Sequence, residues 1–95
     1  MNDNARMTRK SAKETLRGNS FPLGATVRDG GVNFSVFSKN ASGVELLLFR
    51  GPGDSAPERT ITLDPVENRT YHYWHVFIPD IRHGQIYAYR VHGPY

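Results

Sequence analysis

The sequence predicts an all-β domain, a sandwich of antiparallel sheets. Three observations point there. Six short runs are rich in β-branched and aromatic residues, the composition that suits a pleated, half-buried surface. Clusters of Gly, Pro, Asn and Asp punctuate them at short intervals, and those residues supply turns. No stretch after Ser20 keeps the apolar spacing of a helix. A chain of 95 residues suits one domain with one modest core.

The order starts at Phe21-Pro22-Leu23-Gly24. Ala25 to Arg28 reads as a short strand, and Asp29-Gly30-Gly31 as a hairpin turn, because Asp-Gly and Gly-Gly tolerate positive φ. Val32 to Ser38 is the next strand. Its Val32, Phe34 and Val36 share one face and Asn33 and Ser35 the other, a half-buried alternation. Val44 to Phe49 is nearly continuous in apolar residues, so a strand covered on both sides is expected. Arg50 to Glu58, with Gly51, Pro52, Gly53 and Pro57, is an exposed loop. Arg59 to Leu63 is a short strand, and Asp64 to Thr70 a polar connection turning at Asp64-Pro65. Tyr73 to Ile78 and Ile86 to His92 then read as a closing hairpin joined through Arg82-His83-Gly84-Gln85. Trp74, Val76 and Ile78 on one strand and Tyr87, Tyr89 and Val91 on the other point inward. With Val32, Phe34, Val36, Leu46 and Leu48 they are the expected core.

Charge and composition exclude several classes. Net charge is +3, and the excess lies in residues 1–20, where Arg6, Arg9, Lys10, Lys13 and Arg17 face only Asp3 and Glu14. Residues 1–20 are therefore expected to be a disordered basic tail, and residues 21–95 a neutral module. Nucleic-acid binding needs Lys and Arg clustered on the domain itself, so no nucleic-acid partner is expected. No apolar run approaches the length of a membrane span, and the first twenty residues lack the apolar centre of a secretory signal. The chain has no cysteine, hence no disulfide framework or thiolate metal site, which fits a reducing, cytoplasmic location.

Catalytic chemistry has no clear seat. Asp29, Glu45, Asp54, Glu58, Asp64, Glu67 and Asp80 are scattered through turns and loops, whereas acid–base catalysis needs carboxylates paired across a cleft. The histidines His72, His75, His83 and His92 show no zinc-ligand spacing. No nucleophile elbow or phosphate-cradling loop is present, and neither metal nor cofactor is expected. The aromatic residues are more informative, because exposed rings stack on the apolar face of a sugar. Tyr71, Tyr73, His75, Phe77 and Arg90 fall on faces opposite the expected core. Tyr71, Tyr73, His75 and Arg90 are the candidates for carbohydrate contact. Phe49, Phe77 and Tyr95 are the candidates for a domain interface, with Phe49 and Phe77 together making an apolar patch of the kind that marks a partner surface.

Several separated blocks resemble the N-terminal domain of isoamylase-type glycogen debranching enzymes. They are Phe21-Pro22-Leu23-Gly24-Ala25-Thr26, the run Gly31 to Ala41 (GVNFSVFSKNA), Val44 to Phe49 (VELLLF), Tyr73 to Pro79 (YWHVFIP), and Gly84 to Tyr95 (GQIYAYRVHGPY). The resemblance implies an immunoglobulin-like sandwich of the early-set type, classed with carbohydrate-binding module family 48. It implies a non-catalytic module that packs on a downstream (β/α)8 barrel of glycoside hydrolase family 13 in the same chain. That barrel would hydrolyse α-1,6 branch linkages of glycogen by the retaining two-carboxylate scheme, with α-glucan as ligand. Tyr89-Arg90 resembles the Tyr-Lys of kinase glycogen-binding modules, which implies a sugar-contacting place for Arg90. The loop Arg50 to Glu58 lacks the tryptophan those modules carry. Two other readings stand beside it: an independent α-glucan-binding module, and a regulatory interaction domain unrelated to hydrolysis.

Overall fold

A computed structural model of the chain describes residues 15–81 and 83–93. Among these residues seven strands form: β1 (Gly24–Arg28), β2 (Gly31–Phe37), β3 (Gly43–Phe49), β4 (Arg59–Thr62), β5 (Arg69–Thr70), β6 (Tyr73–Pro79) and β7 (Ile86–His92). They build two antiparallel sheets, β1-β2-β6-β5 and β4-β3-β7. The immunoglobulin-like β-sandwich expected from the sequence is the observed fold.

Neighbours in sequence alternate between pairing and crossing. β1–β2, β3–β4 and β5–β6 are paired within a sheet, while the links after β2, β4 and β6 pass from one sheet to the other. The closing hairpin is therefore corrected: β6 pairs with β2 and β5, and β7 pairs with β3. Pro79 ends β6, and Asp80 to Gln85 carry the chain across the roughly 10 Å between packed sheets. The Asp80 N–H donates to the Gly30 carbonyl at 2.7 Å, which pins the crossing to the β1–β2 turn.

Gly30 (φ 86) turns that hairpin as expected. Gly31 has a different reason to be glycine. It lies in β2 opposite Pro79, and a Cβ there would run into the Ile78 carbonyl and sit 2.8 Å from the Phe77 ring. Gly31→Ala is expected to lower stability by about 2 kcal/mol, as overpacking does, read as an earlier midpoint in urea unfolding.

The core holds Val32, Phe34, Val44, Leu46, Leu48, Trp74, Val76 and Ile78, with Ala41 and Leu63 closing its ends. Val36 and Tyr89 pack against it only partly, and Tyr87 and Val91 are exposed. These last two still face inward, opposite Leu48 and Val44. β7 is an edge strand, however, so the second sheet ends where they stand. The expectation that β3 is covered on both sides holds for Leu47, whereas Glu45 and Phe49 on the same outer face are half-buried.

The outer face of the first sheet is not open along its length. Asn33, Ser35 and His75 point outward yet are buried, His75 to 2% exposure. Residues 16–20 lie across them as a strap. Leu16 pairs with Phe77 on the edge of β6 beyond β5, each N–H donating to the other's carbonyl at 2.9 and 3.0 Å. The Asn33 side-chain amide then accepts from the Asn19 N–H at 2.8 Å and donates to the Asn19 carbonyl at 3.0 Å. The Ser35 hydroxyl donates to the Ser20 carbonyl at 2.7 Å. Arg17 adds an exposed ion pair to Glu67 at 2.6 Å, and that pairing holds its guanidinium pKa above the ordinary value. Of the tail expected over residues 1–20, the first fourteen lie outside the described residues.

Candidate functional site

Two of the four expected sugar-contact residues come together at one corner of the first sheet. β5 and β6 are joined by the two-residue loop Tyr71-His72, since Thr70 pairs with Tyr73. Tyr71 takes φ 60, a left-handed conformation uncommon for any residue but glycine, Asn or Asp. Its ring is left 74% exposed. The loop is held from both sides: Arg69 Nε–H donates to the Tyr71 carbonyl at 2.9 Å, and the Ser38 N–H donates to the His72 carbonyl at 2.9 Å. Arg69 is itself seated over the buried Trp74 ring, 5.0 Å from its centroid, a cation–π contact that ties loop to core.

Four rings collect there. Tyr71 lies on His72 at 3.9 Å between centroids, His72 meets Phe37 edge-on at 5.9 Å, and Phe37 meets Tyr73 at 5.2 Å. Phe37 and Tyr73 are paired neighbours on β2 and β6, on the face whose next residues, Ser35 and His75, lie under the strap. Phe37 is 47% exposed. Sequence reading missed Phe37 and His72. The alternation puts Phe37 on the outward face, but only the pairing of β2 with β6 sets it beside Tyr73.

The other candidates lie elsewhere. His75 is corrected from an exposed contact to a buried strut. Its Nδ1–H donates to the Arg17 carbonyl at 2.7 Å, and its Nε2 accepts from the Thr70 hydroxyl at 2.8 Å. A carbonyl only accepts, which places the hydrogen on Nδ1. Arg90 lies on the outer face of the second sheet, bound to Glu45 at 2.9 Å, with His92 Nε2 at 3.3 Å from the same oxygen. Hydrogen bonds from His92 and Arg90 hold the Glu45 carboxyl below the ordinary carboxylate range. Phe49 is half-buried in β3 of that sheet, and Phe77 is half-buried in β6 of the first, paired with Leu16. The single patch expected from Phe49 and Phe77 does not form, because they occupy outer faces of different sheets. Tyr95 lies outside the described residues.

A further feature is the side of the sandwich where edge strands β1 and β7 face each other. Val27, 57% exposed, lies opposite Val32 on β1, and Val91 and Tyr87 project from β7. A crevice of about 210 Å³ lies between Val27 and Tyr87, lined also by Ala25, Val32, Phe34, His83, Gly84 and Gln85. The Tyr87 ring closes its floor against Phe34 at 4.9 Å. Just inside, burial pushes the Tyr89 phenol pKa up, and its hydroxyl has no hydrogen-bond partner among the described residues. Among the described residues, no three His, Asp or Glu side chains group in a way that could hold a metal ion. No helix among them is long and apolar enough to cross a membrane.

Comparison with known proteins agrees with this architecture. A family model described as carbohydrate-binding module 48 (isoamylase N-terminal domain) matches residues 22–95. Isoamylase SU1, chloroplastic, of Zea mays is 49% identical over 86 residues, covering 86% of this chain and 11% of that protein. A glycogen operon protein GlgX homolog of Mycobacterium bovis is 46% identical over 78 residues, 82% of this chain and 10% of that one. The glycogen debranching enzyme of Serratia proteamaculans is 42% identical over 82 residues, 86% and 12% of the two chains. The chain thus spans about a tenth of the length of the curated relatives it matches. Seven strands among the described residues, in two antiparallel sheets, and a family match running over all of them place this chain in the carbohydrate-binding module 48 family of isoamylase N-terminal domains.

Proposed function

We propose that this chain is the non-catalytic N-terminal module of a cytoplasmic glycogen debranching enzyme. The longer protein would hydrolyse α-1,6 branch linkages of α-glucan on a downstream barrel. The module would pack on that barrel and help position the substrate. The observation that carries this reading is the open β1–β7 side. Inward-facing Val27, Tyr87 and Val91 meet water there, as they would where a larger body completes the sandwich. The relatives are long enough to hold such a body, since about nine-tenths of their length lies outside the matched segment. Exposed apolar surface of this kind usually marks a partner.

The test compares one double substitution in two settings. Val27→Glu with Val91→Glu should leave the 95-residue chain within about 0.5 kcal/mol of its parent, as surface changes do. In the complete enzyme the same pair should lower the unfolding temperature and speed amide exchange along β1 and β7. Equal effects in both settings would remove the docking reading.

A further inference from the structure

We infer that the ring cluster Phe37–Tyr71–His72–Tyr73 is a stacking platform for α-1,4-linked glucan, separate from the Glu45–Arg90–His92 face. The inference rests on the reading above only for the class of sugar; the platform rests on the geometry of the corner.

Four observations support it. The rings are contiguous, with centroid separations from 3.9 to 5.9 Å; Tyr71 and His72 are inclined by 37° and offer neighbouring faces, while Phe37 meets His72 and Tyr73 edge-on and buttresses them. The outermost ring, Tyr71, is held out by a backbone conformation, φ 60, that is unfavourable for tyrosine. A turn selected only for folding would take glycine, asparagine or aspartate there. The loop bearing it is clamped by Arg69 and Ser38, which lowers the ordering cost of binding. The strap covers Asn33, Ser35 and His75 on the same face and leaves the ring corner bare. Glucose residues in an α-1,4 chain present an apolar C–H face edged by hydroxyls. Aromatic rings pair with the face, and the Tyr71 and Tyr73 hydroxyls at the margin can meet the edge.

The positive φ at Tyr71 makes a clean test possible. Tyr71→Gly removes the ring and relieves the backbone, so a loss of binding cannot be a loss of fold; Tyr71→Phe keeps the ring. The ¹⁵N-labelled chain is titrated with maltoheptaose to about 10 mM. Saturable shifts are expected at the amides of residues 37, 38 and 70–73. Tyr71→Gly should weaken the apparent Kd roughly tenfold or more, and Tyr71→Phe by less than about threefold. Shifts centred on Glu45, Arg90 and His92 and indifferent to Tyr71→Gly would overturn the platform while leaving glucan binding intact. No saturable shift at all would also overturn it, without touching the docking reading, which the paired-valine comparison tests alone. Sugar-independent shifts at the same amides that grow with protein concentration would assign the rings to a second copy of the chain and overturn it too.

Discussion

Trp74→Ala is expected to cost about 4 kcal/mol, within the range for truncating a buried aromatic. Against a typical total of about 5–15 kcal/mol that brings the chain close to unfolding. Trp74 is 0% exposed and projects from β6 into the space between the sheets. It is the largest fully buried side chain. Its loss would also unseat Arg69, whose guanidinium lies over the indole and whose Nε–H holds the Tyr71 carbonyl. The damage should therefore reach the ring corner as well as the core. Trp74→Phe should cost much less, about 1–2 kcal/mol. It leaves a smaller cavity, and the indole N–H it removes has no hydrogen-bond partner among the described residues, so its loss sacrifices no hydrogen bond. Urea unfolding of the two variants reads the difference. An alanine variant within about 1 kcal/mol of the parent would show that the sheets do not close on this residue.

Removal of the strap is the second large effect. A chain beginning at Phe21 is expected to lose about 2 kcal/mol, the surplus of its hydrogen bonds over the entropy of ordering a few residues. A freely moving tail over the same residues would contribute nothing. Gly18→Val should cost about the same. Gly18 has φ +75, and a Cβ there would fall 2.7 Å from the Val76 carbonyl carbon and 2.8 Å from both Asn33 Oδ1 and the Phe77 nitrogen. A β-branched residue cannot be fitted at that place without lifting the strap away. The cost of lifting is capped by whatever the strap contributes, so the substitution and the deletion should converge. Both should speed exchange of the Phe77 amide hydrogen, which Leu16 protects. A substitution costing clearly more than the deletion would mean that the strain is absorbed in the sheet instead.

Much of the fold was legible before any coordinates. Of the expected inward set, Val32, Phe34, Leu46, Leu48, Trp74, Val76 and Ile78 lie in the observed core, which also takes in Val44, Ala41 and Leu63; Val36 and Tyr89 are only partly buried and Tyr87 and Val91 are exposed. The Asp29-Gly30 turn follows from its residue types. β5 escaped notice because two residues carry no periodicity. The candidate site was half legible. Tyr71 and Tyr73 stand out as aromatic residues off the core face, but their companions Phe37 and His72 do not, because nothing local says which strand will lie beside β2. His75 misled for the same reason: its face was read correctly, and its cover lies 58 residues away at Arg17.

By itself the sequence determined where the longer strands run, which way their side chains point and which family the chain resembles. Those properties depend on backbone pleat and on residues within a few positions of one another. Only the tertiary structure decided that β6 and β7 part company into different sheets, that a strap buries an outward polar row, and that four rings meet at one corner. Each of these depends on contacts between segments far apart in the chain. A period of two is the same whether a strand's partner is its neighbour in sequence or a strand from the other end of the domain.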